Sequence, residues 1–360
     1  MSPLAPAPED EAADPFAAAA AVGIHRLSIP TPFAVGRVNV YLVDDEPLTL
    51  FDTGPNSGSS LDELERQLAR LGRSIADLEL IVLTHGHFDH IGLVDVLRRR
   101  SGAEVAASEA AVPFVERHGE EAEDDHFAVE LMRWHGVPND MARALRSVSA
   151  AFRGWGAHTK VDRRLHDGDR LALRGRAFEV GARPGHSPSD TIFHDASARL
   201  LIGGDHLLKD VSSNPLATRP RGGGEREQAL AVYLDSLRRT RALELELVLP
   251  GHGEPITDHR AVIDARLALH ERRAAKLGRL IAERPRTAYE LAHALWGDIA
   301  VTQTYLTLSE VLGHTDLLVN AGRVREQEAD GVVRFVATEA GDEYADARGG
   351  KERQVGAESG

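Results

Sequence analysis

Between Thr84 and His90 the chain places the imidazoles of His85, His87 and His90 and the carboxylate of Asp89 within six residues. The run before them, Leu80-Ile81-Val82-Leu83, reads as a buried strand with no polar position. Histidine has no turn chemistry that would gather it into a loop, so this cluster projects chemistry from a rigid strand end. Neutral imidazole nitrogens with a carboxylate oxygen are the donors a borderline divalent metal such as zinc prefers. Three later segments repeat the form: Phe178-Glu179-Val180 before Pro184-Gly185-His186-Ser187, Leu200-Leu201-Ile202 before Gly203-Gly204-Asp205-His206, and Leu245 to Leu249 before Pro250-Gly251-His252-Gly253. Glycine beside each donor lets backbone approach a crowded centre. Together His85, His87, Asp89, His90, His186, Asp205 and His252 form a metal-competent set.

This set resembles the metallo-β-lactamase superfamily, whose signature is H-x-H-x-D-H followed by separate His, Asp and His ligands. The resemblance runs from about Ile24 to Asp258 and takes in Asn39-Val40-Tyr41-Leu42-Val43 and the turn Phe51-Asp52-Thr53-Gly54. It implies an α/β fold, a four-layer αββα sandwich, with two divalent metal ions at one edge of the paired sheets. Carried over, it gives His85, His87 and His186 to the first ion, Asp89, His90 and His252 to the second, and Asp205 to both. The chain has no cysteine, which sets it apart from β-lactamases with a Cys at the second metal. Asp205 sets it apart from the other antibiotic-degrading branches. Zinc is the expected metal, with iron and manganese as alternatives that the same donors accept.

A water shared by two such ions falls from a pKa of about 15.7 to about 7, giving hydroxide at neutral pH. The expected activity is therefore that of a dinuclear hydrolase acting on an ester, thioester or lactone of a small molecule. Asp89 is the candidate catalytic residue that orients the hydroxide and collects its proton. The alternative is a phosphodiesterase or endoribonuclease of the lactamase-like type. An iron-dependent oxygen-using relative is disfavoured, because every second-metal position is filled and no flavin module follows. Asp52 resembles the carboxylate that supports a ligand histidine from behind, and it also suits a turn before Gly54. His206 either donates to a developing oxyanion or bonds locally. Ser187 and Asp190 read as turn residues, and Arg219 and Arg221 as loop residues able to meet an anion.

The elements that position these residues follow from periodicity. Ser60 to Leu71 and Ile91 to Arg100 read as helices, and about 108–160 as a mostly helical insertion. Phe127, Met132, Trp134, Phe152 and Trp155 in that insertion either line an apolar cleft or pack its helices onto the sandwich. His126, His135 and His158 read as surface or core histidines. Strands resume from Val161 to Val180 about a turn at Asp167-Gly168-Asp169. The catalytic domain is expected over 23–258, and a second unit over 259–340. That unit comprises a long exposed helix over Ala261 to Ala282, a capping-box helix from Thr287 to Leu295, a helix over Gln303 to Val319 and a hairpin at Asp330-Gly331. The combination resembles a winged helix.

From Asp258 to Val336 there are eleven Lys/Arg and eleven Asp/Glu, and the candidate recognition helix has no Lys or Arg. A nucleic-acid face would be basic, so packing on the core or a homodimer contact is expected instead. The net charge of −14 points away from phosphate-rich partners and anionic membranes. Glu9, Asp10, Glu11 and Asp14 precede the alanine-rich run Phe16 to Ile24, where a secretory signal would carry positive charge. Residues 1–22 and 341–360 read as disordered tails, and a cytoplasmic location with no membrane span is expected.

Overall fold

In the computed structural model, described over residues 16–116, 121–221, 223–298 and 301–339, two β-sheets lie face to face between helices. The first half contains α1 (Ala17–Ala21), β1 (Ile24–Ile29), β2 (Val38–Val43), β3 (Thr49–Phe51), α2 (Gly58–Arg70), β4 (Leu80–Leu83), α3 (Phe88–Ile91), α4 (Val94–Ser101) and β5 (Glu104–Ser108). The insertion contributes α5 (Val112–Glu116), α6 (Glu121–Trp134) and α7 (Asn139–Phe152), as its helical periodicity predicted. Next come β6 (Arg163–Leu165), β7 (Arg170–Ala172), β8 (Ala177–Ala182), β9 (Thr191–Asp195), β10 (Leu200–Gly204), α8 (Ala229–Arg241) and β11 (Leu247–Pro250). The last segment holds α9 (His259–Glu283), α10 (Ala288–Trp296), α11 (Thr304–Asn320), β12 (Val324–Ala329) and β13 (Val332–Ala337).

Six strands in the order β1 to β6 make one sheet, and β11-β10-β9-β8-β7 make the other. Between them Tyr41, Val43, Phe51, Val82 and Ala106 meet Phe178, Val180, Phe193, Ile202 and Leu249. Phe51 sets its ring edge against Phe178 and Phe193, with centroids 5.3 and 5.0 Å away. Burying each such ring stabilises the fold by roughly 1.5–3 kcal/mol. The outer face of the first sheet is covered by α2 and α4 through Leu64, Leu68, Val94 and Leu97. The outer face of the second is covered by α8 and α9 through Leu230, Tyr233, Leu237 and Ile263. The order of layers is αββα, as expected.

Four details differ from the sequence expectation. The helix expected over Ile91 to Arg100 is two helices, α3 and α4, because the Leu93 N–H is taken by Gly54 O and Thr53 Oγ1. Ala17–Ala21, assigned to the tail, is helical, and Phe16 and Ala19 join the core between the sheets. The long helix expected to be exposed buries a stripe, His259, Ile263, His270, Ala274, Leu277 and Ile281. Its charges occupy the other face, so charge content alone overstated its exposure. Finally, α6 and α7 bury their apolar faces mainly against the C-terminal elements: Leu131, Met132 and Ala142 share a core with Ala274, Leu291, Val311 and Phe335.

The C-terminal hairpin forms its own two-stranded sheet. The candidate recognition helix, α11, is buried from Leu308 to Asp316 and packs against α8, α9 and α10. Among the described residues no helix is long and apolar enough to cross a membrane. The expected tail over 341–360 lies outside the described residues.

Candidate metal centre

All seven donors follow the C-terminal ends of strands: His85, His87, Asp89 and His90 after β4, His186 after β8, Asp205 after β10 and His252 after β11. Both sheets therefore deliver metal-competent side chains to one edge. His85 Nε2 lies 3.1 Å from His87 Nδ1, and His186 Nε2 lies 2.9 Å from the same atom. Burial is the main force lowering all three basicities, and neighbouring imidazoles add to it; His87 falls to about 3. These rings stay neutral through the physiological range, the form that ligates a metal.

Asp89, His90 and His252 form a second group. His252 Nε2 is 3.2 Å from Asp89 Oδ2. Asp205 stands between the two groups: its Oδ2 is 3.5 Å from both His186 Nε2 and His252 Nε2, and its Oδ1 is 3.5 Å from His90 Nε2. Burial alone would lower the basicity of His90, but Asp205, Asp52 and Asp89 raise it well above the ordinary value. The same carboxylate field attracts any cation to this edge.

The fit to divalent ions rests on atoms left over by the protein's own bonding. His90 Nε2, His252 Nε2 and Asp205 Oδ1 are buried with no hydrogen-bond partner among the described residues, and they converge. Leaving such groups unpaired costs about 1–3 kcal/mol each, whereas lone pairs pointed at one place are what a cation needs. Their other ring atoms are fixed from behind. His90 Nδ1–H donates to Asp52 Oδ2 at 2.8 Å, and His252 Nδ1–H donates to Arg37 O at 2.9 Å. That arrangement turns each Nε2 lone pair inward.

Asp52 lies behind His90, with its Oδ2 at His90 Nδ1. Its carboxylate also accepts from Thr84 N and Thr84 Oγ1, both at 2.8 Å, and its backbone is left-handed at φ 60°. A non-glycine residue held there is strain stored at a site. Gly251 is required by space, since a Cβ there would collide with Asp205 Oδ1.

His206 is fully buried and bonds to α8: its Nε2 is 2.8 Å from Thr240 Oγ1. Burial, with Arg183 and Arg239 nearby, lowers it to about 3. Asp190 Oδ2 accepts from Ser187 N at 2.9 Å, the turn read from sequence. Arg219 pairs with Glu123 and Asp124, while Arg221 pairs with Asp124 and lies over the Phe114 ring at 4.4 Å. Of the insertion's apolar residues, Met132 is buried, Trp134 and Phe152 are exposed, and Phe152 meets Phe33 edge-on at 5.6 Å. His126 is exposed and His135 is buried.

Sequence reasoning missed the brace behind His252. Tyr41 Oη–H donates to Pro250 O at 2.7 Å, and Asn39 Nδ2–H donates to Pro250 O and Gly253 O at 3.0 and 2.9 Å. The Asn39-Val40-Tyr41 strand gave the only signal, a polar residue alternating into an otherwise apolar run.

Residues 34–252 match the sequence profile of the metallo-beta-lactamase superfamily. The chain is 36% identical over 295 residues to a Bacillus subtilis protein named probable metallo-hydrolase YqjP, covering 81% of this chain and 91% of that one. It is 28% identical over 200 residues to the Haemophilus influenzae hydroxyacylglutathione hydrolase GloC, covering 54% of this chain and 78% of that one. Among solved structures, a metallo-beta-lactamase family protein from Thermus thermophilus superposes with a TM-score of 0.75 at 28% identity, over 88% of this chain and 99% of that one. A beta-lactamase domain protein from Burkholderia ambifaria gives 0.77 at 26% identity, over 88% and 92%. With its donors gathered at the edge of an αββα sandwich, the chain is a metal-dependent hydrolase that belongs to the metallo-beta-lactamase superfamily.

Proposed function

We propose that the protein is a dinuclear hydrolase of small-molecule acyl bonds, in an ester, thioester or lactone. The observation that carries the two-ion reading is Asp205 Oδ2, 3.5 Å from a nitrogen of each histidine group. His85, His87 and His186 would hold one divalent ion, Asp89, His90 and His252 the other, and Asp205 would be shared. Nitrogen and oxygen donors without thiolate suit zinc, with iron or manganese as alternatives. When bound, such a pair supplies a water activated at neutral pH and a Lewis acid for the acyl oxygen.

The chain's own residues do the rest. Asp89 directs one carboxylate oxygen toward His252 Nε2 at 3.2 Å and so faces the centre, where it orients the attacking water and takes its proton. Asp52 and the Arg37 carbonyl hold the His90 and His252 rings against rotation. Burial of His85, Asp89, His90 and Asp205 limits access of bulk water, which strengthens the electrostatics within.

An acyl substrate is supported by the relative named hydroxyacylglutathione hydrolase and by the acidic charge of −14. A small-molecule partner is favoured over nucleic acid because α11 carries no Lys or Arg and is covered by neighbouring elements. The test is turnover of a thioester, a lactone, bis-p-nitrophenyl phosphate and single-stranded RNA, with an Asp89→Ala/His90→Ala double variant as control. Turnover of the carbonyl substrates alone, abolished in the variant, is expected. Turnover of the phosphodiester or RNA instead would overturn the acyl reading.

A further inference from the structure

Outside the seven donors, α9 and α11 enclose a second group of metal-competent side chains: His270, Glu310 and His314, all buried. Here the protein's own bonding uses the lone pairs. His314 Nδ1 lies 2.6 Å from Glu310 O, and a carbonyl only accepts, so this nitrogen carries the proton and Nε2 is the acceptor. His270 Nδ1, 3.1 Å from His314 Nε2, must then be the donor. That leaves His270 Nε2 to accept from Ser212 Oγ–H at 3.3 Å. Glu310 is claimed by Arg273. The group is thus a one-way relay, Ser212 to His270 to His314 to Glu310 O, that requires two neutral rings. Burial, first among the causes, keeps both neutral, His270 down to about 3.

The relay begins at Ser212, one residue from a contact to Asp205. Ser213, next to Ser212, donates to the backbone carbonyl of Asp205. The His270 ring also meets Tyr233 edge-on at 6.3 Å, and Tyr233 Oη–H donates to His206 O at 3.0 Å. Further along the strap that follows β10, residues 205–217, Asn214 Nδ2–H donates to Leu306 O at 2.9 Å and Ala217 N–H donates to Ser309 Oγ at 3.2 Å. Arg226 forms a two-point pair with Asp316 at 2.7 and 2.9 Å. Each of these anchors lies on α8, α9 or α11.

We propose that His270 and His314 are positioning residues: through Ser212 the C-terminal helices hold the strap 205–217 so that Asp205 faces both histidine groups. The inference rests on the shared role given to Asp205 above. It is tested on the full-length chain by loading zinc and titrating a competing chelator against wild type, Ser212→Ala, Ser212→Thr and His270→Ala. Outer partners of metal ligands are worth about 10–100-fold in affinity. Ser212→Ala and His270→Ala are therefore expected to release zinc at about tenfold lower chelator. Ser212→Thr keeps the hydroxyl and is expected to behave as wild type, a rescue that a loss of mere packing would not give. If His270→Ala does not fold, Ser212→Ala, a half-buried site, decides alone. Two ions held equally by all the proteins would overturn the inference and leave the dinuclear centre intact. Fewer than two ions in wild type would overturn both.

Discussion

Asp52 ties three groups together, because one carboxylate serves the His90 ring, a backbone N–H and a hydroxyl. Asp52→Asn keeps a side chain that tolerates φ 60° but removes the charge and one acceptor. We expect it to weaken metal retention about 10–100-fold, read by chelator titration, with little change in the far-ultraviolet spectrum; unchanged retention would mean that Asp52 only shapes its turn. The clustering side chains and Asp52 could be picked out in the sequence because their chemistry is written in the side chain. The Arg37 carbonyl behind His252 could not, because every residue has a carbonyl and only folding aims one. His206 shows the limit from the other side. Its place beside Asp205 suggested chemistry, while its nitrogen is bonded to Thr240.

Strand ends and helix caps carry the next scale. β10 and β11 run parallel and side by side, so Asp205 and His252 emerge together, and Gly251 admits them. Gly251→Ala sets a methyl group against Asp205 Oδ1 and His90 Cε1; it is expected to abolish turnover while leaving the chain folded by circular dichroism, and full activity would contradict the crowding argument. At α10 the capping box read from Thr287 and Glu290 is present in full, with Thr287 Oγ1 accepting from Glu290 N at 3.1 Å and Glu290 Oε2 from Thr287 N at 2.9 Å. Thr287→Ala should cost about 0.5–2 kcal/mol in denaturant unfolding. Caps were legible because they are local. The break between α3 and α4 was not, since it depends on Thr53 and Gly54 arriving in the turn after β3.

Across the whole molecule, α9 joins the outer layer of the sandwich to the C-terminal core, and α6 and α7 complete that core. Sequence periodicity located these helices but gave no signal of which neighbour each would meet, because amphipathic faces do not name their partners. One consequence is measurable. His135 on the insertion is 2% exposed and stacks on Phe335 of β13 with centroids 6.0 Å apart. Burial, then the nearby Arg226, lowers it to about 3. The unfolded chain takes up this proton below about pH 6.5 and the folded one does not until about 3, so stability is lost as pH falls through that window. Replacing His135 by Gln should flatten the loss between pH 7 and 5 by up to about 1.4 kcal/mol per pH unit, read by urea unfolding; identical slopes would place the titration elsewhere.

The central claim, two divalent ions sharing Asp205 at the edge of the paired sheets, is tested most directly by counting metal per chain in wild type and Asp205→Ala after exhaustive dialysis. Two ions in the wild type, one or none in the variant, and parallel loss of acyl-bond hydrolysis are the predicted result. A single ion in the wild type, or two ions retained without Asp205, would contradict it.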